Sequence, residues 1–167
     1  MVLKTSKIRC RRGVSLVGTM VAVTILLIAL IGTSTFRYAA ALDGRKASAH
    51  TAAARVALAL SESWRGIKGD TTLDPTEFDS SDLTVSASTW AGHEKPDDFT
   101  LLGNYVVVLN DDNPDSVNYY ATMSWKDIKP GLRALNVSVA WAQRGPGADD
   151  TENVDKSFGL TVYTQTY

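Results

Sequence analysis

Few side chains in this 167-residue chain have the types and spacing that chemistry needs. Carboxylates are the first candidates. Asp111, Asp112, Asn113 and Asp115 form one acidic turn, and Asp149, Asp150, Glu152 and Asp155 form a second cluster. Asp111, Asp112 and Asp115 are weak calcium candidates, because neither cluster has the spaced ligands and terminal Glu of an EF-hand loop. Solvated turn acids are the simpler account of both. The two histidines, His50 and His93, share no metal-ligand spacing. The single cysteine, Cys10, follows Ile8-Arg9 where lipidation would want small residues. There is no glycine-rich phosphate loop and no Gly-x-Ser-x-Gly elbow. These residues argue against an enzyme and against a cofactor, and they leave a structural or binding role.

The segment that organises the chain is Arg11 to Phe36. From Gly13 through Phe36 there is no charged residue, a run of 24 positions. As a helix rising about 1.5 Å per residue it is roughly 36 Å long, enough for a hydrocarbon core of about 30 Å. Lys4, Lys7, Arg9, Arg11 and Arg12 precede it with no acid among them. Cations on that side keep the N-terminal end cytoplasmic and place the remainder outside. A cleaved secretory signal fits less well, since Arg37 separates the run from Ala39-Ala40-Ala41 and the run exceeds the usual signal core. A plain single-pass anchor is a further reading.

A third reading rests on likeness. The basic leader, Gly13 and an uncharged helix beginning Val14-Ser15-Leu16 resemble the class III signal of type IV pilins and pseudopilins. The resemblance implies cleavage by a prepilin peptidase between Gly13 and Val14, N-methylation of Val14, and retention of the apolar helix. It further implies other pilin or pseudopilin subunits and an inner-membrane assembly platform as partners. One position departs from the pattern. The family usually carries Glu at the fifth mature residue, and here that residue is Gly18. In the family that Glu is thought to pair with the N-terminal ammonium of a neighbour. Some minor pseudopilins of the K type also lack it, so a tip or initiating subunit is one reading of Gly18; sequence drift in a subunit that needs the contact little is the other. Some pseudopilins hold calcium in a loop, which is a further reason to keep the acids at 111–115 in view.

Composition bounds the rest. Removing residues 1–13 takes away five of the seventeen basic residues and leaves twelve against eighteen acids, formally −6. A net acidic surface argues against nucleic acid as the main partner. The processed chain holds no cysteine, so the disulfide that many pilins carry is absent.

In chain order, the expected helix continues well beyond Phe36, because no proline occurs before Pro75 and alanines and leucines are frequent. Ala49, Ala53, Val56, Leu60, Trp64 and Ile67 recur at steps of three and four, the core stripe of an amphipathic helix. Glycines at 66 and 69 supply the stop. A polar connector, Asp70 to Asp82, leads to five strand signals: 83–87, 101–109, 119–125, 135–141 and 158–163. Four of them alternate with period two, which predicts half-buried strands with one face on the helix stripe; 101–109 is a more continuous apolar run and reads as a buried strand. The expected divisions are a removed leader (1–13), a membrane or filament-core helix (14–36), an amphipathic helical half (37–68) and a globular sheet domain (69–167). The expected class is α+β, a pilin fold of one long helix on an antiparallel sheet of about four or five strands. The later strands, with "NVSVAW" and "LTVYTQT", are similar to the C-terminal halves of PilV-type minor pilins and I-type minor pseudopilins. The function expected is that of a minor type IV pilin or type II secretion pseudopilin, held in the inner membrane with its domain extracytoplasmic. The alternative is a single-pass anchored binding protein that does not polymerise.

Overall fold

The computed structural model describes residues 15–78, 83–90, 95–109, 117–142 and 151–166. Its first element is α1, Leu16–Gly66, a helix of 51 residues. The absence of proline and the run of good helix formers explain its continuity through Gly18, Gly32 and Gly44. The chain falls into two units, Met1–Gly44 and Arg45–Tyr167, and α1 contributes its first half to one and its second half to the other.

In the second unit, Ala53, Val56, Ala57, Leu60 and Trp64 of α1 are buried. The sequence stripe therefore forms as expected, except at its last member. Ile67 is 42% exposed, because the helix has ended and the chain has already turned. That turn is a Schellman cap: Gly69 N–H donates to Trp64 O at 3.0 Å and Lys68 N–H to Arg65 O at 2.9 Å. Lys68, not a glycine, takes the left-handed position with φ 59°, and Gly69 follows at φ 75°. The polar connector contains a short 3-10 turn, Pro75–Glu77. Asp74 caps it, accepting from the Thr76 backbone N–H at 3.0 Å and from its hydroxyl at 2.7 Å.

Five strands follow: β1 (Leu83–Ala87), β2 (Thr100–Leu109), β3 (Asn118–Lys129), β4 (Leu132–Ala142) and β5 (Val154–Gln165). They form one antiparallel sheet in sequence order, β1-β2-β3-β4-β5. The architecture is α+β, a long helix and a five-stranded antiparallel sheet. The register places Met123 beside Val137 and Val137 beside Leu160, so apolar residues line up across three strands. With Val107, Tyr119 and Trp141 they close over the helical stripe. A bulge between Leu101 and Gly103 bends β2. A Cβ at Gly103 would run into the Tyr105 ring, which explains the glycine.

The sheet differs from expectation on its other face. Alternation predicted a solvated face there, yet Tyr120, Thr122, Ser124, Asn136 and Ser138 are buried as well. Part of the cover is the segment between β1 and β2. Trp90 meets the Tyr120 ring edge-on at 4.6 Å, and Asp98 lies 3.4 Å from Lys126 Nζ. The polar residues on this face pair among themselves where they can: Asn136 Nδ2 donates to Thr161 Oγ1 at 2.9 Å.

Candidate functional site: an uncovered apolar helix and the cap of its packed half

Every residue from Leu16 to Ala41 of α1 is exposed. The exposed side chains include Leu16, Met20, Ile25, Leu26, Ile28 and Ile31, each more than half accessible. A helix apolar all round and exposed among the described residues has a surface suited to lipid or to other helices. It is long and apolar enough to cross a membrane. Its four threonines do not spoil that surface. Thr19, Thr24, Thr33 and Thr35 donate their hydroxyls to the carbonyls of Leu16, Met20, Leu30 and Ile31, at 2.7–3.0 Å. Each hydroxyl is thus satisfied within the helix, which lowers the cost of placing it in hydrocarbon. Composition alone did not show this; the recurrence of Thr inside an uncharged run was the available signal.

Gly18 sits near the start of this surface, where a Cβ would meet only Ser15 Cβ at 3.9 Å. The position therefore has room for a side chain and carries none. Gly13 and Val14 lie outside the described residues, as do Cys10, His93 and the calcium candidates Asp111, Asp112 and Asp115. Of the second acid cluster, Asp155 pairs with its neighbour Lys156 at 2.8 Å. Among the described residues no group of three or more His, Cys, Asp or Glu side chains converges as a metal site. His50 stands edge-on to Trp141 and Phe158, with ring centroids 5.9 and 5.4 Å away. That makes it a packing residue on the packed half of α1. Of the other aromatics, Trp90 packs on Tyr120, whereas Tyr163 is 57% exposed.

The far end of α1 is fixed to the sheet by Arg133, which sequence reading did not single out. Its Nη1 donates to Gly69 O at 2.8 Å, and its Nε donates to Asp127 Oδ1 at 2.7 Å. Its guanidinium lies 4.3 Å from the centre of the Trp125 ring. The hydrogen bond from Arg133 holds the Asp127 carboxyl below its ordinary value of 3.8. Asp70 and Asp74 are lowered too, by hydrogen bonds from Thr72 and Thr76. Burial raises Tyr119 and Tyr105 in the core.

Comparison with protein-family models, with curated proteins and with solved structures finds no match.

Proposed function

We propose that this chain is a membrane-anchored structural subunit of the minor type IV pilin or type II secretion pseudopilin class. The observation that carries the reading is the 51-residue helix, of which Leu16 to Ala41 is exposed and the second half supplies a domain core. A lone soluble domain has no use for some twenty exposed apolar positions; a subunit whose helices enter a membrane or bundle with their like does. The basic leader and Gly13 support it from the sequence side. In this reading the prepilin peptidase cuts between Gly13 and Val14, and Val14 is methylated. The domain then lies outside the inner membrane, and the partners are other subunits and the assembly platform. No catalysis and no cofactor are involved.

Gly18 supports a minor or terminal place. Glu at that position would offset a neighbour's N-terminal ammonium, and Gly leaves it unpaired. An uncompensated buried charge costs several kcal/mol at every step of a homopolymer and little at a tip. Quantitative mass spectrometry of sheared filaments tests this. The expected result is a scarce chain beside a Glu-bearing major subunit; dominance of this chain in the filament would overturn it. The second reading is a single-pass anchored domain that binds a partner without polymerising. Gly18 is also compatible with that, and the chain would then be absent from sheared filaments.

A further inference from the structure

We infer that Phe36, Arg37 and Tyr38 form a belt that seats α1 at the phosphate level of a phospholipid leaflet, with Arg37 hydrogen-bonded to lipid phosphate; the inference rests on the anchored reading above. Arg37 is the first charge after the uncharged run that begins at Gly13. From Leu16 to Phe36 the helix is roughly 30 Å long at about 1.5 Å per residue, the thickness of a hydrocarbon core. The helix continues past Arg37 to Gly66, so these side chains, and not a helix end, set the level. One cation here does not upset the orientation, because five precede the run on the other side.

The shape of the belt favours lipid. Successive residues of a helix stand about 100° apart around its axis, so the three side chains face three directions at nearly one height. A leaflet surrounds a helix in this way, whereas a docked protein meets one side. Phe36 is 74% exposed and Tyr38 68%, and Arg37 is exposed between them. The polarity follows the same axis. The wholly apolar Phe36 stands on the core side, and the amphipathic ring of Tyr38 stands on the water side, as it does at membrane interfaces.

The helix offers Arg37 no partner. The side chains within its reach lie three and four positions away, and these are Thr33, Ser34, Ala40 and Ala41. Thr33 already donates its hydroxyl to Leu30 O at 3.0 Å. Arg65, further along α1, has its acid three positions back and pairs with Glu62 at 2.9 Å. A second copy held at the same level offers no acid either. Leu16 to Leu42 contains none, and Asp43 stands about 9 Å beyond Arg37 along the axis. Phosphate suits the vacancy: a guanidinium forks two N–H donors onto phosphate oxygens, while its stem lies along acyl chains and lets the head reach the interface.

The test uses the full chain in vesicles of phosphatidylethanolamine and phosphatidylglycerol, with a nitroxide on Ala40→Cys in a Cys10→Ser background. Power saturation against oxygen and a nickel chelate reads the depth of the label. Arg37→Leu with Tyr38→Leu lengthens the apolar run and should draw the label towards the hydrocarbon by about one turn, roughly 5 Å. Arg37→Lys should leave the depth unchanged, since a cation of similar reach remains. With carbon-13 at the guanidinium carbons, dephasing by lipid phosphorus-31 should lose one component on Arg37→Lys, the one belonging to Arg37. An unmoved label in the Leu pair, or dephasing that Arg37→Lys leaves intact, would overturn the inference. So would a label depth that follows chain density at fixed lipid composition, which would make the occupant another copy. Carbonate extraction of the same full chain reports on the anchor separately. A retained chain with an unmoved label fails only the belt, and an extractable chain fails the anchored reading.

Discussion

The two halves of α1 share one backbone conformation and differ in what their side chains meet. From Leu16 to Ala41 every residue is exposed, although most are apolar. From Ala53 to Trp64 the apolar residues fall on one stripe, and that stripe is buried. Helical propensity does not distinguish them. The distribution of apolar residues round the axis does: all round for a surroundings of lipid or other helices, one-sided for a sheet. The second half is held to the sheet where Tyr119 Oη donates to Ala49 O (3.5 Å), and the cap that follows it where Arg133 Nη1 donates to Gly69 O (2.8 Å).

The sharpest break of this contrast is charge. Ile25→Arg with Ile28→Arg puts two cations mid-span, each costing about 2.5–3.5 kcal/mol on an insertion scale. The double variant should leave the membrane fraction while the melting temperature of the domain stays where it was. Loss of domain stability instead would mean that the first half serves the fold.

The next effect comes from matched truncations. Leu60→Ala should lower domain stability by roughly 2–5 kcal/mol, because Leu60 is 4% exposed in the core. Leu26→Ala, at a 60% exposed position, should leave the thermal midpoint of the domain unchanged. Equal responses would erase the distinction between the halves.

These contrasts were legible in the sequence. The uncharged run gave the first half, steps of three and four gave Val56, Leu60 and Trp64, and alternation gave the inward residues of four strands; β2, read as a continuous apolar run, revealed no inward face. What was hidden depends on groups far apart in the chain. Arg133 reaches Gly69 across 64 positions, and no local pattern signals such a partner. The buried outer face of β3 and β4 was missed because Thr122, Ser124 and Asn136 look like solvated residues until Trp90 is seen on Tyr120. Lys68 in a left-handed conformation went unforeseen because glycines stood on either side of it at 66 and 69. At the candidate site, the back-bonded threonines were hidden in the same way, as their partners are backbone carbonyls.

A smaller effect sharpens the account of how the packed half ends. Gly69→Ala should destabilise the domain by more than about 1 kcal/mol. The residue would hold φ 75° against its preference, and its Cβ would press on Thr164 and Trp64. Chemical denaturation of the wild-type and variant domains measures this, and a neutral outcome would remove the cap from the account.

The smallest expected effect is acid sensitivity at the same junction. Asp127 is lowered from 3.8 by Arg133. A depressed folded value means that the ionised form is favoured by folding. Its contribution is therefore present above pH 3.8 and is lost as pH falls through the folded value. Denaturation midpoints of wild type and Arg133→Ala should converge as the pH drops through that window. A constant gap between them would show that the carboxylate takes no part.

The most direct test of the central claim is the N-terminus of the chain recovered from the membrane fraction, read by intact mass and N-terminal sequencing. The proposed function predicts a chain that begins at Val14 and carries a methyl group there. A chain that still begins at Met1, or one that begins near Leu42 with the apolar half removed, would contradict it.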